Sequence, residues 1–217
     1  MTIKLDSRQF IKLTIYSLLL VNFFFYIADD IRISSYTMKN GGSILTWTRS
    51  FATTIDESAW FILLFLFELE TYLLSDETQS RSIVMKLMYG ARAVCYVFLI
   101  HSVYAFSVIY LDLTQVMAVP AVSNLCELVP QNVSFTRNLA YTDLDAVNCL
   151  TLSTSNVFYF TEPGLVVTDT TGFSLEKNLA LVDIMEVVVW LVILLTIEVI
   201  VWFQDRSITQ GSIISII

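Results

Sequence analysis

Little of this sequence is charged: Asp, Glu, Lys and Arg together make up 15% of its 217 residues, too few to coat a soluble domain of that size. Basic residues are the scarcer sign, 12 Lys and Arg against 20 Asp and Glu, for a net charge of -8. With no basic face to neutralise phosphates, direct nucleic-acid binding is excluded. There is one histidine, His101, and the carboxylates are scattered, so the clustered ligands of a metal site are missing. Walker, Rossmann, kinase and hydrolase signatures are absent. Ser102 adjoins His101, and neighbours on a helix diverge, so no nucleophile and base pair forms there. The chain therefore reads as a non-enzyme without cofactor or metal. Six Gly and three Pro also leave few breaks of the kind found in transporter helices.

What is abundant is apolar: 56% of residues are hydrophobic, and mean hydropathy is +0.69. These values indicate an integral membrane protein. A hydrocarbon core about 30 Å thick needs about 20 mainly apolar residues per helix. Four stretches qualify: Phe10 to Ala28, Thr54 to Leu74, Ala93 to Leu113 and Leu179 to Phe203. The first follows Lys4, Arg8 and Lys12 as a signal peptide would, but its length and the lack of a small-residue cleavage site predict a retained helix. The fold class expected is an all-α four-transmembrane-helix bundle. Lys4, Arg8, Lys12, Arg81, Lys86 and Arg206 then share one side, which the positive-inside rule makes cytoplasmic, together with both termini. Arg32, Lys39 and Arg49 fall in the opposite loop. Ile44, Trp47, Phe51 and Ile55 recur at helical spacing and predict a short outer interfacial helix, with Trp47 and Trp60 at headgroup depth. The third helix starts near Ile83, ahead of its apolar part, with Arg92 at the inner boundary.

Three regions follow: 1–113 with three spans, 114–178 as an extracytoplasmic module, and 179–217 with the last span and a cytoplasmic tail. The module holds β-branched runs, "NVSFT", "NVFYF" and "GLVVTDT", that fit short strands. Cys126 and Cys149 lie in it on the oxidising side, where a bridge would contribute about 3 kcal/mol. Cys95, alone in the third span, reads as a small core residue. "NVS" at Asn132 has the form of a glycosylation acceptor, and "SITQGSIISII" gives the tail an apolar end.

Ionisable groups inside spans cost about 2.5 to 3.5 kcal/mol near a helix centre, so each is a candidate. Glu68, Glu70, Arg92 and Glu198 form an expected inner layer, in which Arg92 neutralises a carboxylate of a neighbouring helix. Glu68 and Glu70 point about 200° apart and cannot share a partner. Asp56, Glu57, Asp112, Asp183 and Glu186 form an expected outer acidic layer with no basic residue in the spans. The loop segment reinforces it, with six acids against Arg137 and Lys177. Such a vestibule concentrates cations. His101 falls near mid-depth, about 180° from Arg92 and on the face of Tyr104 and Asp112; a hydrogen-bonded core residue is the expected role.

Two functions fit. One is an oligomeric sensor or signalling subunit whose outer module detects an envelope change and acts through a soluble partner at the turn "SDETQSRSIVMK" or the tail. The other is a cation channel or transporter subunit with acidic layers at both faces. A cysteine-bearing loop between the last two spans also occurs in tetraspanins, but their Cys-Cys-Gly signature is absent. The four-span layout with an outer module and almost no cytoplasmic domain resembles the membrane subunit of bacterial Kiwa-type anti-phage systems. That resemblance implies a homo-oligomer, specifically a tetramer, in the bacterial inner membrane. It further implies a sensor of phage attachment working with a cytoplasmic DNA-binding subunit.

Overall fold

The structure, a computed structural model, describes residues 7–70, 82–162 and 164–205. Most of these are helical: α1 (Ser7–Thr37), α2 (Ile44–Ser50), α3 (Ala52–Glu68), α4 (Ser82–Thr114), the short α5 (Cys149–Leu152) and α6 (Thr170–Asp205). Between α4 and α6 the chain forms β1 (Ser134–Arg137), β2 (Ala140–Asp143), β3 (Phe158–Glu162) and β4 (Val166–Asp169). Gln9–Thr37, Ile83–Thr114 and Thr170–Ile200 are each long and apolar enough to cross a membrane. The bent pair α2 and α3 supplies a fourth crossing if it is one span.

The helices pack in the row α1, α3, α4, α6. Small residues set the close approach, as in membrane helix interfaces. Ala59 and Cys95 are buried with Leu63 and Leu99, and Ala52 and Ala105 with Phe106 and Val187. Cys95 thus takes the core position read from the sequence. Trp60 packs on the Ala59, Leu63, Cys95 and Leu99 cluster, with its ring 5.7 Å from that of Trp190.

The apolar stripe from Ile44 to Ile55 is broken. α2 and α3 meet at 71° beside Phe51, so Ile55 belongs to the second helix. Ser43 caps α2 by accepting from the Thr46 N–H at 3.2 Å, and Trp47 stacks on Phe51 at the bend. Hydropathy also places several helix ends short. α1 runs to Thr37 and α6 begins at Thr170 rather than Leu179, because a helical ladder continues through polar residues wherever a cap starts it. The expected second span reaches Leu74, and its last residues, 71–74, lie outside the described residues. So do Lys4, Arg81 and Arg206, residues 75–81 of the proposed partner-binding turn, and the tail after Asp205.

The sheet is mixed, in the order β2-β1-β4-β3, with β1 and β4 parallel and the outer pairs antiparallel. β1 and β4 fall in "NVSFT" and "GLVVTDT" and β3 in "NVFYF". β2 is an addition. Its two-residue turn puts both Asn138 (φ 50°) and Leu139 (φ 62°) in the left-handed region, as tight hairpin turns require. Leu125, Leu128, Val133, Phe135, Leu144, Phe158 and Val167 form the module's core around Cys149. Cys126 and Cys149 stand at disulfide distance, Cα atoms 4.9 Å apart.

Candidate functional site

The sheet meets the helices at a junction with no linker. β4 ends at Asp169 and α6 starts at Thr170. Asp169, 1% exposed, accepts from the Gly172 N–H at 2.7 Å and the Thr171 hydroxyl at 2.9 Å. It also stands 3.6 Å from Arg137 of β1 and 3.4 Å from the Thr154 hydroxyl. Burial pushes its carboxyl up, but these hydrogen bonds and the Arg137 charge together hold it below its ordinary value of 3.8. One carboxylate therefore starts α6 and ties it to the sheet. Gly172 permits the approach: a Cβ there would lie 2.0 Å from Thr168 Oγ1. Thr168 itself donates to the Thr136 carbonyl at 2.7 Å, and Tyr159 of β3 stacks on Phe173 at 4.5 Å.

A second tie joins α1 to β2. Tyr36 stacks on Tyr141 at 5.4 Å, and the Lys39 ammonium pairs with Asp143. The Lys39 bond, with help from Ser134, holds the Asp143 carboxyl below its ordinary value. The exit of α4 is fastened too: Val119 N–H donates to the Phe158 carbonyl at 2.8 Å. All of these contacts except the cap were beyond sequence reading. Asp169 before "TTG" is a helix-start signal, but it lies outside the apolar stretch that defined the span.

The helix end away from the module carries a layer of paired groups. Glu68 accepts from Lys12 and Tyr16 of α1, Glu70 pairs with Arg92 of α4, and Glu198 of α6 accepts from Tyr96 of α4. Glu68 and Glu70 thus turn to different helices, as their angular separation demands.

The five residues expected to form one outer acidic layer separate into two groups. Asp112 pairs with Arg49 of α2 at 2.8 Å. Nearby Glu162 is held above its ordinary value by burial, with Arg49 opposing and Asp112 reinforcing that effect. Asp56, Glu57, Asp183 and Glu186 gather instead between α3 and α6, close enough for direct charge interaction. None of these four is ion-paired among the described residues. Asp56 is the buried member of these four. It faces Ser102 of α4, which stands midway between Arg92 and Asp112, about 15 Å from each at 1.5 Å per residue. Which helix Asp56 faces is set by packing and is not carried by the apolar stretch that contains it.

Asp30 of α1 is 7% exposed and accepts from the Thr54 N–H and hydroxyl at 2.9 and 2.7 Å, capping α3 from a neighbouring helix. His101 lies with its ring 6.0 Å from Tyr104, and its Nε2 is buried without a hydrogen-bond partner. The hydrogen bond expected of a core histidine is thus not made at that atom, and Asp112, expected on the same stripe, is engaged by Arg49. Among the described residues, no three His, Cys, Asp or Glu side chains group as metal ligands. No protein-family model matches the chain, and neither a curated protein nor a solved structure matches it.

Proposed function

We propose that the chain is an integral membrane signalling subunit. It crosses the bacterial inner membrane four times with both termini cytoplasmic, and its sheet module outside detects a change at the envelope. The membrane reading draws support from the surface of α1, which exposes Phe10, Leu18, Phe24 and Phe25 by 60% or more; lipid covers such a surface and water does not. The observation that carries the signalling role is the junction at Asp169. A module built into the first turn of a 36-residue helix has no slack, so a shift of the sheet is a shift of α6. The clamp from Lys39 and Tyr36 gives α1 the same input.

In this reading the output passes through a soluble cytoplasmic partner. The resemblance to Kiwa-type membrane subunits extends the reading to a homotetramer that senses phage attachment. The test is purification of the tagged protein from native membranes in mild detergent, with mass spectrometry of the complex. A stoichiometric soluble partner, released or retained according to whether the envelope was challenged, is the expected result. A homo-oligomer that never captures a soluble partner, challenged or not, refutes the reading.

A further inference from the structure

The carboxylates at the far helix end all have donors: Lys12 and Tyr16 for Glu68, Arg92 for Glu70, Tyr96 for Glu198. Among the described residues, the group between α3 and α6 has no cation paired with it. Asp56 is 9% exposed, and its Oδ1 is buried with no hydrogen-bond partner. Ser102 and Trp60 are the neutral hydrogen-bonding side chains at the carboxylate, and the Ser102 hydroxyl also lies 3.1 Å from the Phe98 carbonyl, so Oδ1 alone is left without a partner. The charged groups around Asp56 are themselves acids: Glu57 beside it on α3, and Glu186, backed by Asp183, on α6. α4 contributes Ser102, with His101 next in the chain. On α1, the buried Asp30 is engaged by Thr54. A buried carboxylate among like charges is untenable without a positive partner.

We propose that Asp56, Glu186 and the Ser102 hydroxyl form a site for a monovalent cation between α3, α4 and α6. Two carboxylates and a hydroxyl are too few for calcium, which takes six to eight oxygens, or for the octahedral shell of magnesium, and no third ligating side chain joins them among the described residues. A single positive charge suffices, either a proton bridging the acids or an alkali ion that keeps part of its water shell.

The approach to the site is also built in. Glu176 and Asp183 are one heptad apart on α6 and drift only about 20° around the helix. Glu176 interacts with Asp183, Asp183 with Glu186 and Glu186 with Asp56. This descending line of acids begins beside the module, and its field draws cations along it. The inference rests on the spanning arrangement proposed above, while its readouts need no soluble partner.

The experiment uses the full chain in lipid nanodiscs. Sodium, potassium or choline chloride is titrated at constant ionic strength and pH while tryptophan fluorescence is followed in a chain with Trp47→Phe and Trp202→Phe, which leaves the Trp60 and Trp190 pair as the emitters. Infrared spectra at neutral pH record carboxylic-acid and carboxylate bands in parallel. A saturable response to sodium or potassium but not choline, weakened at least tenfold by Glu186→Gln or Asp56→Asn, assigns an alkali ion. A carboxylic-acid band insensitive to alkali ions and removed by Asp56→Asn assigns a proton. Carboxylates that are all ionised with no saturable alkali response overturn the proposal, and so does a signal that persists unchanged in both variants. The wild-type spectra and the Glu186→Gln variant, at an exposed position, keep the test decisive if Asp56→Asn does not fold.

Discussion

Replacing Asp169 with Ala should release the sheet from α6, and the cost follows from its contacts. Losing an N-cap acceptor to Ala costs about 0.5 to 2 kcal/mol. Here the Gly172 N–H left behind is buried, and an unpaired buried donor costs about 1 to 3 kcal/mol. The Arg137 contact, at 3.6 Å with that side chain 45% exposed, adds less than about 1 kcal/mol. The first two figures overlap, since both concern the Gly172 N–H, so the total expected is about 2 to 3 kcal/mol. Hydrogen exchange of the β1 and β4 amides in detergent reads module opening directly, and at about 1.4 kcal/mol per decade these amides should exchange roughly 30- to 150-fold faster. Asp169→Asn keeps an oxygen for Gly172 and loses the charge, so about 1 kcal/mol and roughly fivefold are expected. Exchange in Asp169→Ala within about threefold of wild type would falsify the view that this carboxylate holds the sheet to the helix.

Three further outcomes follow from the same geometry. Cys126→Ser removes a link across 23 residues and should destabilise the module by about 3.4 kcal/mol on the chain-entropy estimate, abolishing signalling while membrane insertion, read by fractionation, stays intact; full signalling in that variant refutes the module's role. Gly172→Ala drives a Cβ against Thr168 Oγ1 and should cost about 1 to 3 kcal/mol in a thermal melt, with Thr168→Ala in the same chain recovering part of the loss; an unaltered melting temperature in Gly172→Ala contradicts the packing. For acid, both Asp169 and Asp143 are held below 3.8 when folded, so their contribution is complete above that value and is lost as pH falls through their lower folded values. Their share of sheet protection should therefore be lost in strong acid, with a shallower acid limb in Asp169→Asn, while Glu162 of β3, held above its ordinary value by burial, acts in the opposite sense and weakens protection as pH rises past 4.5.

Much of the helical layout was legible because long apolar stretches have no other stable form in lipid, and the angular separation of Glu68 and Glu70 is fixed by helix geometry alone. Three strands were legible from their β-branched runs. β2 was not, since its turn is Asn-Leu: Leu139 at φ 62° is held there by the hairpin and sends none of the usual Asn-Gly signal. The pairing of Asp112 was out of reach for a different reason. Its partner Arg49 comes from a helix set at 71° to the one that follows, and no periodicity in a single helix reports such a turn. The unpartnered Nε2 of His101 was equally out of reach, because satisfaction of a polar atom is decided by neighbours distant in sequence.

The continuity of β4 with α6 also sets a mechanical scale. At 1.5 Å per residue the 36-residue helix is about 54 Å long. It acts as a lever whose short arm is embedded in the sheet, and a tilt of about 3° at that arm sweeps the opposite tip through about 3 Å on this geometry. That sweep is most of the roughly 4 Å separation of two carbon atoms in contact, enough to open or close a packed contact. A displacement of the sheet too small to disturb any of its own hydrogen bonds is thus magnified, by length alone, into a change of fit at the other end.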